Sequence, residues 1–124
     1  MDGVNDLPLV EQFGEIQKAW EHRKHLAIRS PTGSGKSIGL PTLLFHKKMV
    51  DGQILVIQPR RIAARLLARR VSALLGSEIG KEVGYHVRFD KKCSDETKII
   101  YLTDGIFLNK ILSDPTLSRV GLVI

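Results

Sequence analysis

Ser30-Pro31-Thr32-Gly33-Ser34-Gly35-Lys36-Ser37 decides how the rest of this 124-residue chain is read. A bound triphosphate needs a concave ring of backbone N–H donors, a helix N-terminus aimed at it and one mobile cation. Gly33 and Gly35 let the backbone wrap closely without Cβ clashes. Lys36 can then reach the β- and γ-phosphates, and the Ser37 hydroxyl can ligate Mg²⁺. The candidate cofactor-binding residues are therefore Thr32, Gly33, Ser34, Gly35, Lys36 and Ser37, with Lys36 and Ser37 doing catalytic work and Ser37 holding the metal. One position departs from G-x-x-x-x-G-K-[ST], because Ser30 stands where the first glycine usually does. A surface turn with a chance lysine is the bland alternative. It leaves the flanking strand and helix patterns as coincidence.

Those patterns extend in both directions. Upstream, His25-Leu26-Ala27-Ile28-Arg29 reads as a short strand entering the loop. Before it, Leu9, Phe13, Ile16 and Trp20 repeat at i, i+4, i+7 and i+11, one face of a helix that Pro8 can begin. Downstream, residues 35–50 predict a helix that Pro41 should kink or delay. Asp51-Gly52 marks a turn, and Ile54-Leu55-Val56-Ile57 is a continuous apolar run suited to a strand covered on both faces. Residues 61–75 predict a helix with Gly76 at its C-terminal cap. The stretch 77–96 is hardest to read, with a strand expected over 83–89. A strand over 98–102, a helix over 104–112 ended by Asp114-Pro115, and a last buried strand over 121–124 complete the series. Strands alternating with helices predict βαβ units and a mostly parallel sheet. A chain ending inside a buried strand reads as cut short.

Composition sets the outer bounds. Apolar residues make up 43% of the chain and charged residues 26%, enough for a packed core and unlike a disordered segment. Nineteen basic against thirteen acidic residues give a net charge of +6, which favours a polyanionic partner. The single cysteine, Cys93, excludes a disulfide framework or a cysteine-based metal site. No apolar run approaches a membrane span and the N-terminus does not open a signal peptide, so a cytoplasmic protein with no membrane partner is expected.

A phosphate loop alone suits many nucleotide enzymes, and the segments after it discriminate among them. Gln58-Pro59-Arg60-Arg61-Ile62-Ala63-Ala64-Arg65 follows a strand, and ligand sites in open α/β sheets form at strand carboxyl ends. Adjacent Arg60 and Arg61 are well placed there to grip phosphodiester oxygens. On the following helix Arg61, Arg65 and Arg69 form one stripe, while Ala63, Leu67, Val71 and Leu74 form the expected core stripe. A solvated basic face accounts for Arg65 and Arg69. Arg70 falls at the edge of the apolar face, where that account is poor.

The loop, Gln58-Pro59-Arg60-Arg61-Ile62-Ala63-Ala64, Gly84-Tyr85-His86-Val87-Arg88-Phe89 and Thr103-Asp104-Gly105 together resemble the ordered motifs of superfamily 2 DEAH-box helicases. The tail from Asp114 to Ile124 resembles the lead-in to the DExH motif of the bacterial HrpB/HrpA-type branch. The resemblance implies that residues 1–124 form the N-terminal portion of a first RecA-like domain, from the phosphate loop through the strand before DExH. Its fold would be the three-layer α/β/α of P-loop NTPases. It implies an ATP-dependent helicase that binds ATP and Mg²⁺ at the loop and single-stranded RNA or DNA along Arg60, Arg61, Thr103 and Asp104. It also implies that Arg70 stacks on the nucleotide base, a loose cation–π reading of roughly 0.5–2 kcal/mol. Arg88 would make a further backbone or domain contact, with a structural role on its strand the equal alternative.

The DExH acids should follow Ile124, and the second RecA-like domain of the same parent chain, with its arginine finger, is the other expected partner. The 124 residues alone are accordingly expected to be inactive. Two other classes stay open: a different P-loop ATPase or kinase, and a non-catalytic nucleic-acid-binding module. The first leaves Arg60-Arg61 and Thr103-Asp104-Gly105 without a role. The second makes Lys36 dispensable. His22, His25, His46 and His86 lack metal spacing, and Gln12 reads as a surface residue once Arg70 is assigned to the base.

Overall fold

The computed structural model describes Gly14, Glu15, Lys18 and residues 36–124. The helix read from Leu9 to Trp20 lies largely outside these residues, and the strand at 25–29 and loop residues 30–35 lie wholly outside them. What is described runs α1 (Lys36–His46), β1 (Gln53–Gln58), α2 (Arg61–Leu74), β2 (Val83–Val87), β3 (Asp90–Lys92), β4 (Ile99–Thr103), α3 (Asp104–Ser113) and β5 (Val120–Val123). The strands form one sheet in the order β3-β2-β4-β1-β5. β2, β4, β1 and β5 are mutually parallel, and only β3 runs antiparallel, against β2.

Parallel strands joined by helices are covered on both faces, so their apolar residues must serve two cores. Ile54, Val56, Val83, Tyr85, Val87, Ile99 and Tyr101 point one way and pack with Leu40, Leu43 and Leu44 of α1 and Ala64, Ala68 and Val71 of α2. Leu55, Ile100 and Leu102 point the other way and meet Ile106 and Phe107 of α3. The mixed α/β fold with a mostly parallel sheet is therefore the observed architecture. No helix among the described residues is long and apolar enough to cross a membrane.

Several boundaries differ from the sequence expectations. α1 stops at His46, not near residue 50: Lys48 takes φ 54, and the Met49 N–H returns to the Leu44 carbonyl at 3.0 Å. Pro41 neither delays nor ends α1 but sits buried inside it. The core seam of α2 is Ala64, Ala68 and Val71, continued by Leu75 at its C-cap; it shares Val71 with the expected stripe but otherwise lies one residue later than Ala63, Leu67 and Leu74. The alanines explain the shift, because small side chains let the helix lie close on β2 and β4 while the bulkier Leu67 packs at the rim. Gly76 closes α2 as expected, at φ +64, with the Gly76 N–H on Ala73 and the Ser77 N–H on Ser72. The single strand expected over 83–89 is instead a hairpin, whose two-residue turn is Arg88-Phe89. β5 is not buried: Gly121 and Val123 are exposed, because β1 is its only strand neighbour among the described residues.

The amino-terminal end of the sheet is tied by polar side chains. Buried Gln53 donates to the carbonyls of Asp95 and Thr97, and buried Thr97 donates to that of Gly80 at 3.2 Å.

Two glycines should respond oppositely to alanine. A Cβ on Gly84 would lie 2.0 Å from the Lys92 carbonyl oxygen and 2.8 Å from Cys93 Cβ, so Gly84→Ala must push β3 away from β2. It is expected to cost on the order of 1–3 kcal/mol, read as a lower urea midpoint. At Gly105, inside α3, a Cβ meets nothing within 4 Å. Gly105→Ala should stabilise by up to about 1 kcal/mol through helix propensity. Equal midpoints for the two variants would contradict this packing.

Candidate nucleotide and nucleic-acid site

Lys36 and Ser37 are the first described residues of α1 and both are half-buried. The expected neighbours Thr32, Gly33, Ser34 and Gly35 lie outside the described residues. An α-helix normally uses the residue-41 N–H to satisfy the carbonyl of residue 37. Proline has no N–H, and its ring also crowds the carbonyl four residues back. The Ser37 carbonyl therefore loses its partner inside the helix. It finds one across the core, where the Tyr101 hydroxyl of β4 donates to it at 2.6 Å. Tyr101 is fully buried, and burial raises its phenol pKa, keeping it a neutral donor.

At the carboxyl end of the sheet, register brings distant sequence together. Gln58 of β1 pairs with Thr103 of β4, so Arg60-Arg61 and Thr103-Asp104 leave adjacent strands side by side. His86 of β2 pairs with Leu102 of β4, which brings Arg88 to the same end on the other flank. Neighbouring strands lie about 4.8 Å apart, so the three groups span roughly 10 Å. Arg60, Arg61, Arg88 and Asp104 are exposed and Thr103 is half-buried. Arg60 caps α2 with no side-chain hydrogen bond, and the first turn of α2 has no acidic residue. Its free N–H groups and two arginines leave that end strongly attractive to anions. Arg70 does not join this group. It is exposed nine residues beyond Arg61, about 13 Å farther along the helix axis.

The hairpin bearing Arg88 is under local strain. Phe89 takes φ 66, a region that bulky residues avoid, and is 90% exposed. The Arg88 guanidinium lies over its ring, 4.8 Å from the centroid. Asp90 anchors the turn, its Oδ2 accepting from the Tyr85 hydroxyl at 2.9 Å and from Arg65 at 3.2 Å. Arg69 lies over the Tyr85 ring at 6.0 Å. Arg65 and Arg69 thus do more than solvate a helix face, since they join α2 to the hairpin. The Tyr85 hydrogen bond, helped by Arg65, holds the Asp90 carboxyl below its ordinary pKa.

On the α3 face, His86 and Cys93 line a small cleft with Gln53, Lys91 and Lys110. Burial first, then Lys91 and Lys110, lowers the His86 pKa, and burial raises that of the Cys93 thiol. Both are held neutral, and no group of three or more metal-ligating side chains occurs among the described residues.

Sequence reading did not find Tyr101, the Asp90 anchor or the exposed Phe89. Only Tyr101 had a signal: a proline four residues after Ser37, which orphans a carbonyl that something else must satisfy.

The family model described as DEAD/DEAH box helicase matches residues 14–124. The chain is 36% identical over 121 residues to the ATP-dependent RNA helicase HrpB of Escherichia coli, an alignment covering 98% of this chain and 15% of that protein. It is also 36% identical to the ATP-dependent RNA helicase HrpA of Borreliella burgdorferi, covering 98% of this chain and 15% of HrpA. The crystal structure of the E. coli DExH-box NTPase HrpB superposes with a TM-score of 0.87 at 36% identity, covering 94% of this chain and 14% of that one. The chain thus spans about one-seventh of the length of these relatives.

The Asp90 anchor has a pH signature. A carboxyl whose native pKa is depressed stabilises the fold above its unfolded pKa and loses that contribution as pH falls through the native value. The difference in urea midpoint between the parent protein and Asp90→Asn should be full at neutral pH. It should shrink on acidification below about pH 4. A difference that does not change with pH would remove the ionised carboxylate from the anchor.

Proposed function

Since the chain belongs to the DEAD/DEAH box helicase family, we propose that it forms the ATP-binding and strand-binding part of an RNA helicase motor. The observation that carries this reading is the convergence of Arg60-Arg61, Thr103-Asp104 and Arg88 at the carboxyl ends of three adjacent strands. Three arginines from two chain segments offer a track for a phosphodiester backbone, with the helix N-terminus behind Arg61 adding to the pull. Phe89, exposed beside Arg88, offers a ring on which an unpaired base can stack, a contact that tolerates any sequence. The RNA helicase names of the relatives favour RNA over DNA.

Lys36 and Ser37 suit ATP and Mg²⁺: both are half-buried at the start of a helix whose first turn carries no acidic residue. In this reading Lys36 neutralises charge on the β- and γ-phosphates, Ser37 ligates the metal, and residues 32–35 complete the cradle. Bound ATP and Mg²⁺ would supply the phosphoryl-transfer chemistry that drives movement along the strand. Arg70, distant from the strand-binding end, is proposed to stack on the nucleotide base. A second RecA-like domain is the proposed partner that closes over both ligands, and the cytoplasm the proposed compartment.

Lys36→Ala in the full-length protein is expected to abolish ATP turnover, with or without poly-RNA, while single-strand affinity persists. Arg60→Ala and Arg61→Ala should each weaken single-strand binding about equally across sequences. Each should also reduce the slope of log affinity against log salt by about 1. Turnover indifferent to RNA would favour another kind of P-loop enzyme. Wild-type turnover in Lys36→Ala would remove the nucleotide site.

A further inference from the structure

The hydrogen bond from Tyr101 to the Ser37 carbonyl joins two elements that the proposed function uses for different ligands. Ser37 belongs to the start of α1, where the nucleotide and metal are assigned. Tyr101 belongs to β4, whose next residues but one are Thr103 and Asp104 at the strand-binding end. The bond exists because residue 41 is proline, so the helix cannot satisfy its own carbonyl there. Tyr101 is 0% exposed, so water cannot take its place as donor. We propose that Tyr101 is a positioning residue: its hydroxyl replaces the amide that Pro41 lacks and fixes the Ser37 backbone, and with it the Ser37 hydroxyl and Lys36, for Mg·ATP. This inference rests on the nucleotide-site reading above.

The hydroxyl can be removed and its replacement supplied separately. Tyr101→Phe keeps the ring in the core and deletes only the donor. In the full-length protein with saturating poly-RNA it should raise KM for Mg·ATP roughly three- to tenfold, the range expected for one lost hydrogen bond. The change in kcat should stay within about twofold, because Tyr101 touches no reacting group. Pro41→Ala restores an N–H four residues after Ser37. The Pro41→Ala/Tyr101→Phe double variant should therefore recover KM to within about twofold of the parent, the non-additivity expected of groups sharing one partner. A purely structural contribution of Tyr101 would lower stability without rescue by an amide at position 41. An unchanged KM in Tyr101→Phe, or a raised KM that Pro41→Ala leaves raised, overturns the inference. Lys36→Ala assayed alongside separates the two levels. If it retains turnover, the nucleotide-site reading falls and takes this inference with it. If it is inactive while Tyr101→Phe matches the parent, only the role of Tyr101 fails.

Discussion

The register of β4 is the constraint from which the rest follows. This strand lies between β1 and β2, parallel to both, and its residues alternate between two cores. Ile99 and Tyr101 face α1 and α2, while Ile100 and Leu102 face α3. A slip of one residue would exchange these sets. Tyr101 would turn away from α1 and leave the Ser37 carbonyl unpaired, and Thr103 would lose its place opposite Gln58. Register is held because both faces are apolar and close-packed, and because Gln53 and Thr97 secure the opposite end. The proposed strand-binding end thus inherits its geometry from a core that contains none of its residues.

Among the described residues two departures from local rules lie beside candidate functional residues, while Lys48 and Leu117 take left-handed backbone away from them. Pro41 sits inside a helix, and Phe89 occupies a left-handed backbone conformation. Neither would persist in an isolated peptide. Each is held by contacts from elsewhere in the fold: Tyr101 reaches the carbonyl that Pro41 orphans, and Asp90, gripped by Tyr85 and Arg65, closes the turn that strains Phe89. Strain maintained in this way tends to mark functional positions. Here one case lies next to the proposed metal ligand and the other next to the proposed backbone contact Arg88.

Charge is distributed on the same plan. Arg60, Arg61 and Arg88 stay exposed at one end of the sheet. Arg65, from the same basic run, is drawn into an ion pair with Asp90. The run therefore divides by position along α2: Arg60 and Arg61 stay exposed at its start, whereas Arg65, one turn farther along the same stripe, reaches the hairpin. His86 and Cys93, which line the cleft on the α3 face, are kept uncharged by burial, with Lys91 and Lys110 adding to the effect at His86 and opposing it at Cys93.

Much of the fold was legible in the residues themselves. Continuous apolar runs at 54–57 and 99–102, an amphipathic helix closed by Gly76, and alternation of the two element types suffice for a parallel α/β sheet. These signals are local, set by periodicity and by the special backbone of glycine. The ordered motifs were legible for the same reason, since each is a short contiguous string. The β2–β3 hairpin was not, because Arg88-Phe89 carries no glycine or asparagine to announce a tight turn, and part of the missing stability comes from Arg65, 25 residues away, through Asp90. The exact seam of α2 was not, because Ala63 and Ala64 are equally apolar and only the approach of β2 and β4 chooses between them. The sequence by itself therefore determined most of the elements that form and which residues are candidates to meet a nucleotide or a strand. The tertiary structure alone decided which of them meet one another, because strand register acts between residues up to 68 positions apart and a buried hydroxyl between residues 64 apart.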